Sequence, residues 1–117
     1  MHLITESHDR VELVRLPSEL VIGNTQAARG ALVELVDRGR HHLILDLEEV
    51  AFVDSSGLSV LVSALKALRK VGGEVVLLRP SDTVRSLIEL TRLHQVFEIY
   101  EDPGAALQTL ADRAGAA

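Results

Sequence analysis

The chain has 117 residues, a formal charge of −5, 47% hydrophobic and 3% aromatic residues, and no cysteine. That is enough chain for one aliphatic core without disulfides or a metal staple, and enough apolar content to exclude disorder. The missing cysteines remove thiol catalysis and zinc–thiolate sites, the acidic balance argues against direct nucleic-acid binding, and no apolar run reaches the roughly 18–20 residues of a membrane span.

Residues 3–6 predict a short strand, and 11–16 a second, because Val11, Leu13 and Val14 sit against Glu12 and Arg15. Ser7-His8-Asp9-Arg10 between them predicts the turn of an antiparallel hairpin. A helix follows, with Asn24 or Thr25 as its cap, Ala28, Leu32, Leu35 and Val36 on its apolar face and Gly39 at its stop. Residues 42–47 are nearly all apolar, as in a strand covered on both faces. The second helix starts after Asp54-Ser55-Ser56, carries Leu58, Leu61, Val62, Leu65 and Leu68, puts Lys66, Arg69 and Lys70 on its wet face and ends at Gly72-Gly73. Residues 75–78 predict another buried strand. Pro80-Ser81-Asp82 opens a third helix with Val84, Leu87, Ile88 and Thr91 on one face. Residues 97–100 predict a late strand, and Asp102-Pro103 starts a last helix carrying Leu107, Leu110, Ala111 and Ala114.

The order β-β-α-β-α-β-α-β-α predicts an α/β fold: a mainly parallel mixed sheet with an N-terminal antiparallel edge hairpin, flanked by about four helices. One domain is expected over residues 1–112, with a frayed tail over 113–117. The first ten residues hold acids and histidines in place of a basic-then-apolar leader, so the expected location is the cytoplasm.

The most informative string is Asp54-Ser55-Ser56-Gly57, at a strand-to-helix joint. Such joints lie near the carboxyl edge of an α/β sheet, where function collects. A helix N-terminus has free N–H groups and positive partial charge, so a serine there can carry a phosphate. The plain structural reading is helix capping, for which Asp, Ser and Gly are ordinary. On that reading Asp54 or Ser55 accepts from the following turn and leaves Ser56 free. Other candidates carry less. His2, His8, His41, His42 and His94 are scattered, and the adjacent pair would face opposite sides of a strand. No Gly-x-Ser-x-Gly elbow, Walker loop or Gly-x-Gly-x-x-Gly is present, and Glu48-Glu49 reads as a solvated pair. No metal and no cofactor is expected.

Asp54-Ser55-Ser56-Gly57-Leu58, set after Leu43-Ile44-Leu45-Asp46-Leu47 and before Leu61-Val62, resembles the STAS family, which includes bacterial anti-sigma factor antagonists. Leu16-Pro17-Ser18-Glu19-Leu20 and Gly72-Gly73-Glu74-Val75 support the resemblance, which covers residues 3–110. It implies a transcription-regulating switch in place of an enzyme. Ser56, the second serine of the string, would be the phosphate acceptor, surrounded by Asp54, Ser55 and Gly57. Val21, Ile22, Asn24, Thr25 and Leu58 would meet the partner, an anti-sigma factor that is also an ATP-dependent serine kinase. A phosphatase would reset the modified form, and weak self-association is left open. The chain departs from the family pattern at Val21, which stands where members commonly carry an acid, and its polar residues come later, as Asn24-Thr25. That departure keeps a non-phosphorylated STAS module in view, a stressosome-type scaffold or a lipid-transport subunit.

Two rivals come from other classes. A phosphorelay receiver also has parallel strands, and Asp46 ends one, but its acidic pair and late lysine have no counterpart: the only lysines, Lys66 and Lys70, lie on a helix. A small enzyme needs a convergent acid–base or nucleophile–base set, and the sequence displays none.

Overall fold

The computed structural model describes residues 3–115; Met1, His2, Ala116 and Ala117 lie outside the described residues. In chain order the elements are β1 (Ile4–His8), β2 (Val11–Arg15), β3 (Glu19–Leu20), α1 (Thr25–Asp37), β4 (His42–Asp46), β5 (Phe52–Val53), α2 (Ser55–Lys70), β6 (Glu74–Leu78), α3 (Asp82–Leu90), a 3-10 turn at Leu93–Gln95, β7 (Ile99–Tyr100) and α4 (Pro103–Gly115). The main sheet runs β1-β2-β4-β6-β7, antiparallel only at the β1–β2 edge. This is the mixed α/β architecture expected from the sequence.

Period-two alternation divides the sheet's side chains between two layers. Leu13, Ile44 and Val76 are in register across β2, β4 and β6 and pack with Ala106 and Leu110 of α4. The neighbouring row Val14, Leu45 and Leu77 packs on the other side with α1, α2 and α3. Each fully buried leucine in these rows contributes about 1.5–3 kcal/mol. With both faces covered, β4 and β6 have no need of polar alternation, which is why they read as continuous apolar runs.

Helix ends follow their glycines. Gly39 has φ 87°, its N–H meets Val36 O, and Arg40 N meets Leu35 O at 3.0 Å. Gly72 repeats the arrangement with φ 73°, Gly73 N meeting Leu68 O at 2.8 Å. Both are left-handed stops that satisfy the last carbonyls of a helix.

Several expectations need correction. β3 and β5 were absent from the expected order; they form a separate parallel pair, Glu19 opposite Phe52 and Leu20 opposite Val53. The first turn is tighter than 7–10, because Ser7 and His8 still pair with Glu12 and Val11. The buried face of α2 is Gly57, Val60, Leu61, Ala64 and Leu68, leaving Leu58, Val62 and Leu65 half-buried. In α3 Thr91 is exposed and caps the end by donating to Leu87 O. In α4 Ala106 takes the core place expected for Ala111. That helix continues to Gly115, past the expected domain end at Asp112, with Ala114 buried and Arg113 bound to Glu74 and Glu98.

Candidate functional site

Asp54 is the N-cap of α2, with extended backbone at ψ −176°. Its Oδ1 accepts from Gly57 N at 2.9 Å and from the Ser56 hydroxyl at 2.5 Å. Its Oδ2 reaches across to the β3–α1 loop and accepts from Ile22 N at 3.0 Å. One carboxylate thus joins the serine, the helix start and the loop. These donors, the Ser56 hydroxyl first, hold the Asp54 carboxyl below its ordinary value.

The assignment of cap and acceptor therefore changes in part. Asp54 alone caps; Ser55 is exposed, and its hydroxyl has no hydrogen-bond partner among the described residues. Ser56 is half-buried and hydrogen-bonded instead of free. Asp54→Ala is expected to lower the melting temperature by several degrees, and Ser55→Ala to leave it nearly unchanged. The sign with pH follows from the lowered carboxyl. Asp54's share of the stability is present above its ordinary value near 3.8 and is lost as pH falls through the depressed one. Thermal melts of wild type and Asp54→Ala from neutral pH to pH 2 check this: the gap between them should close only at the acid end.

Gly57 is fixed by contact. A Cβ there would stand 2.3 Å from Leu20 O and 2.8 Å from Val53 Cγ1. The start of α2 lies directly on the β3–β5 pair, and that close approach brings the loop after Leu20 within reach of Asp54.

The loop itself is laced from within. Asn24 Nδ2 donates to Glu19 O at 2.8 Å, and its Oδ1 accepts from Val21 N at 3.0 Å. Asn24 precedes α1, but its side chain makes no cap bond; it is spent on the loop. Of the expected partner residues, Ile22 is 79% exposed, Val21, Asn24 and Leu58 are half-buried, and Thr25 is buried against the core. Thr25 is therefore withdrawn from the binding face.

Two apolar residues next to the site escaped the sequence reading. Phe52 of β5 and Leu90 of α3 are 59% and 82% exposed. With Val53, Val84 and Leu87 they line a groove of about 270 Å³. The only available signal was a large apolar residue two positions before Asp54. Exposed apolar surface collected in one place marks an interaction site better than scattered residues do.

The other candidates do not assemble. Among the described residues no three metal-ligating side chains converge, and His2 lies outside them. Asp46, the strand-end acid of the receiver reading, is 3% exposed, holds Arg79 Nη2 at 2.9 Å and accepts from Glu48 N. Among the described residues no helix is long and apolar enough to cross a membrane.

Comparison with known proteins agrees with the fold. The STAS domain family model matches residues 2–106. The anti-sigma F factor antagonist of Paenibacillus polymyxa is 31% identical over 106 residues, 90% of this chain and 91% of that one. An anti-sigma factor antagonist from Mycobacterium paratuberculosis superimposes with a TM-score of 0.84 at 27% identity, covering 94% of this chain and 93% of the other. The Bacillus cell fate determinant SpoIIAA in its phosphorylated form gives 0.73 at 24% identity, covering 92% and 98%.

Proposed function

The chain belongs to the STAS domain family and, by homology, to its anti-sigma factor antagonists, and from that premise we propose that it binds an anti-sigma factor which is also an ATP-dependent serine kinase. Binding frees a sigma factor; phosphorylation of Ser56 by the same partner ends the complex, and a phosphatase restores it. The chain acts in the cytoplasm as substrate and decoy, not as catalyst. The observation that carries this reading is the join between acceptor and surface. Ser56 stands at the second residue of α2, and its Asp54 partner also holds the exposed Ile22 loop. Phe52 and Leu90 extend that surface with apolar area.

The test is binding to candidate anti-sigma kinases from the chain's own source, measured by calorimetry. The double substitution Phe52→Ser, Leu90→Ser should weaken the complex by on the order of tenfold or more, at about 1.4 kcal/mol per tenfold. Both residues are exposed, so the fold should survive. Unchanged affinity would remove the groove from the binding face; no binding by wild type would end the reading.

Val21 favours the second reading, a STAS module that is not phosphorylated. A valine side chain cannot accept a hydrogen bond, ionise or help hold Mg²⁺. Within the switch reading, Ser56 should therefore be modified slowly, and Val21→Asp should raise the rate. A phosphorylation time course with ATP compares the two. Rapid, complete modification of wild type, unimproved by the acid, would show that position 21 is no bottleneck; no modification of either would favour the scaffold.

A further inference from the structure

Ser56, Ser59 and Ser63 recur at spacings of three and four, which places them on one face of α2. Arg29 of α1 meets that face. Its Nη2 donates to Ser59 Oγ at 2.8 Å and its Nε to Ser63 Oγ at 3.2 Å. Ser59 Oγ in turn donates to Ser56 O at 2.6 Å. Among the described residues no carboxylate lies within 4.0 Å of the Arg29 guanidinium, whereas Arg15 and Arg40 each hold one and Arg79 and Arg113 each hold two. Arg29 is a half-buried cation satisfied by neutral hydroxyls, and a guanidinium binds a phosphate more strongly, in a two-pronged fork.

We propose that Arg29 is the internal receptor for a phosphate on Ser56; the inference rests on the phosphorylation reading above. Modification joins Ser56 Oγ to the γ-phosphorus of ATP, breaks the bond from that phosphorus to ADP and releases the hydroxyl proton. The donor to Asp54 is lost in the same step. A group of charge about −1.5 to −2 then stands beside the Asp54 carboxylate. Repelled there, it turns along the serine face toward Ser59, whose hydroxyl donates to Ser56 O. Arg29 releases Ser63 and moves one turn, about 5.4 Å, toward the start of α2. The phosphate is then held between α1 and α2, and the modified form carries its own counter-cation.

The experiment installs phosphoserine at position 56 during translation, so it needs no kinase. Phosphorus-31 NMR follows the second ionisation of the phosphate with pH in wild type, Arg29→Gln and Arg29→Lys. In wild type that ionisation should fall about one pH unit below its value in Arg29→Gln, a tenfold change in proton affinity. Arg29→Lys should lie between them. The Arg29 Nε proton and nitrogen resonances of the otherwise unsubstituted protein should shift when position 56 carries the phosphate, a readout that needs no Arg29 variant to fold. Identical titrations in all three proteins, with the Nε resonances unmoved, would overturn the proposal. A wild type that no anti-sigma kinase modifies would end the proposed function while this measurement still decides the role of Arg29.

Discussion

Ser56→Glu is expected to weaken the complex with the anti-sigma partner by on the order of a hundredfold, while Ser56→Ala binds like wild type. The asymmetry follows from what each change does around Asp54. Alanine removes one donor, and Asp54 keeps the Gly57 and Ile22 amides, so the loop stays tied to α2. Glutamate adds a charge beside a carboxylate that those donors already hold ionised. An interface closing over the start of α2 must then desolvate two like charges, which opposes binding. True phosphoserine should also weaken the complex, since it removes the hydroxyl donor to Asp54 and its charge of about −1.5 to −2 draws Arg29 toward the start of α2. Calorimetry on the three proteins decides the matter: equal affinities for a verified partner would remove Ser56 from the switch.

The other large effect belongs to Gly57. Glycine to alanine inside a helix ordinarily stabilises by about 1 kcal/mol. At Gly57 the sign should reverse, with a loss of about 1–3 kcal/mol. The new methyl would stand 2.3 Å from Leu20 O, a backbone oxygen that also accepts from Asp54 N at 3.1 Å. It cannot turn aside as a side chain would, so α2 must lift from the β3–β5 pair. Gly30, on α1, is the control, because a Cβ there meets nothing within 4 Å. Urea denaturation should show Gly30→Ala more stable than wild type and Gly57→Ala less. Partner affinity should fall with Gly57→Ala even in the folded fraction, since the lifted helix separates Asp54 from Ile22. A neutral Gly57→Ala would mean the helix start yields cheaply.

What the sequence made legible was whatever repeats. The α1 face of Ala28, Leu32, Leu35 and Val36 is buried as its spacing says, and the apolar runs at β4 and β6 are covered on both faces. β3 and β5 have two residues each, too few for any period to show, so the pair on which the site is mounted was invisible. In α2 hydrophobicity drew attention to Leu58, Val62 and Leu65, yet at its first turn the helix lies so close to Leu20 and Val53 that only Gly57 fits beneath it. Bulk was the wrong measure there, because close approach selects small residues. The string Asp54-Ser55-Ser56 marks the helix start that the structure shows, and Asp54 and Ser55 were both competent caps by type. Which of them caps was set by the backbone at the joint, and the reach of Asp54 to Ile22 depends on a loop 32 residues earlier in the chain.

The β3–β5 pair shares no ladder with the five-stranded sheet. Exposed side chains beside it, Ile22 and Phe52 above all, can therefore change without disturbing a rung of the main ladder. A cell that keeps several such chains must prevent each from titrating another's partner. Under the function proposed above, that insulation would come from a few surface residues on or beside the short pair, and a duplicated gene could acquire a new pairing while inheriting the scaffold intact.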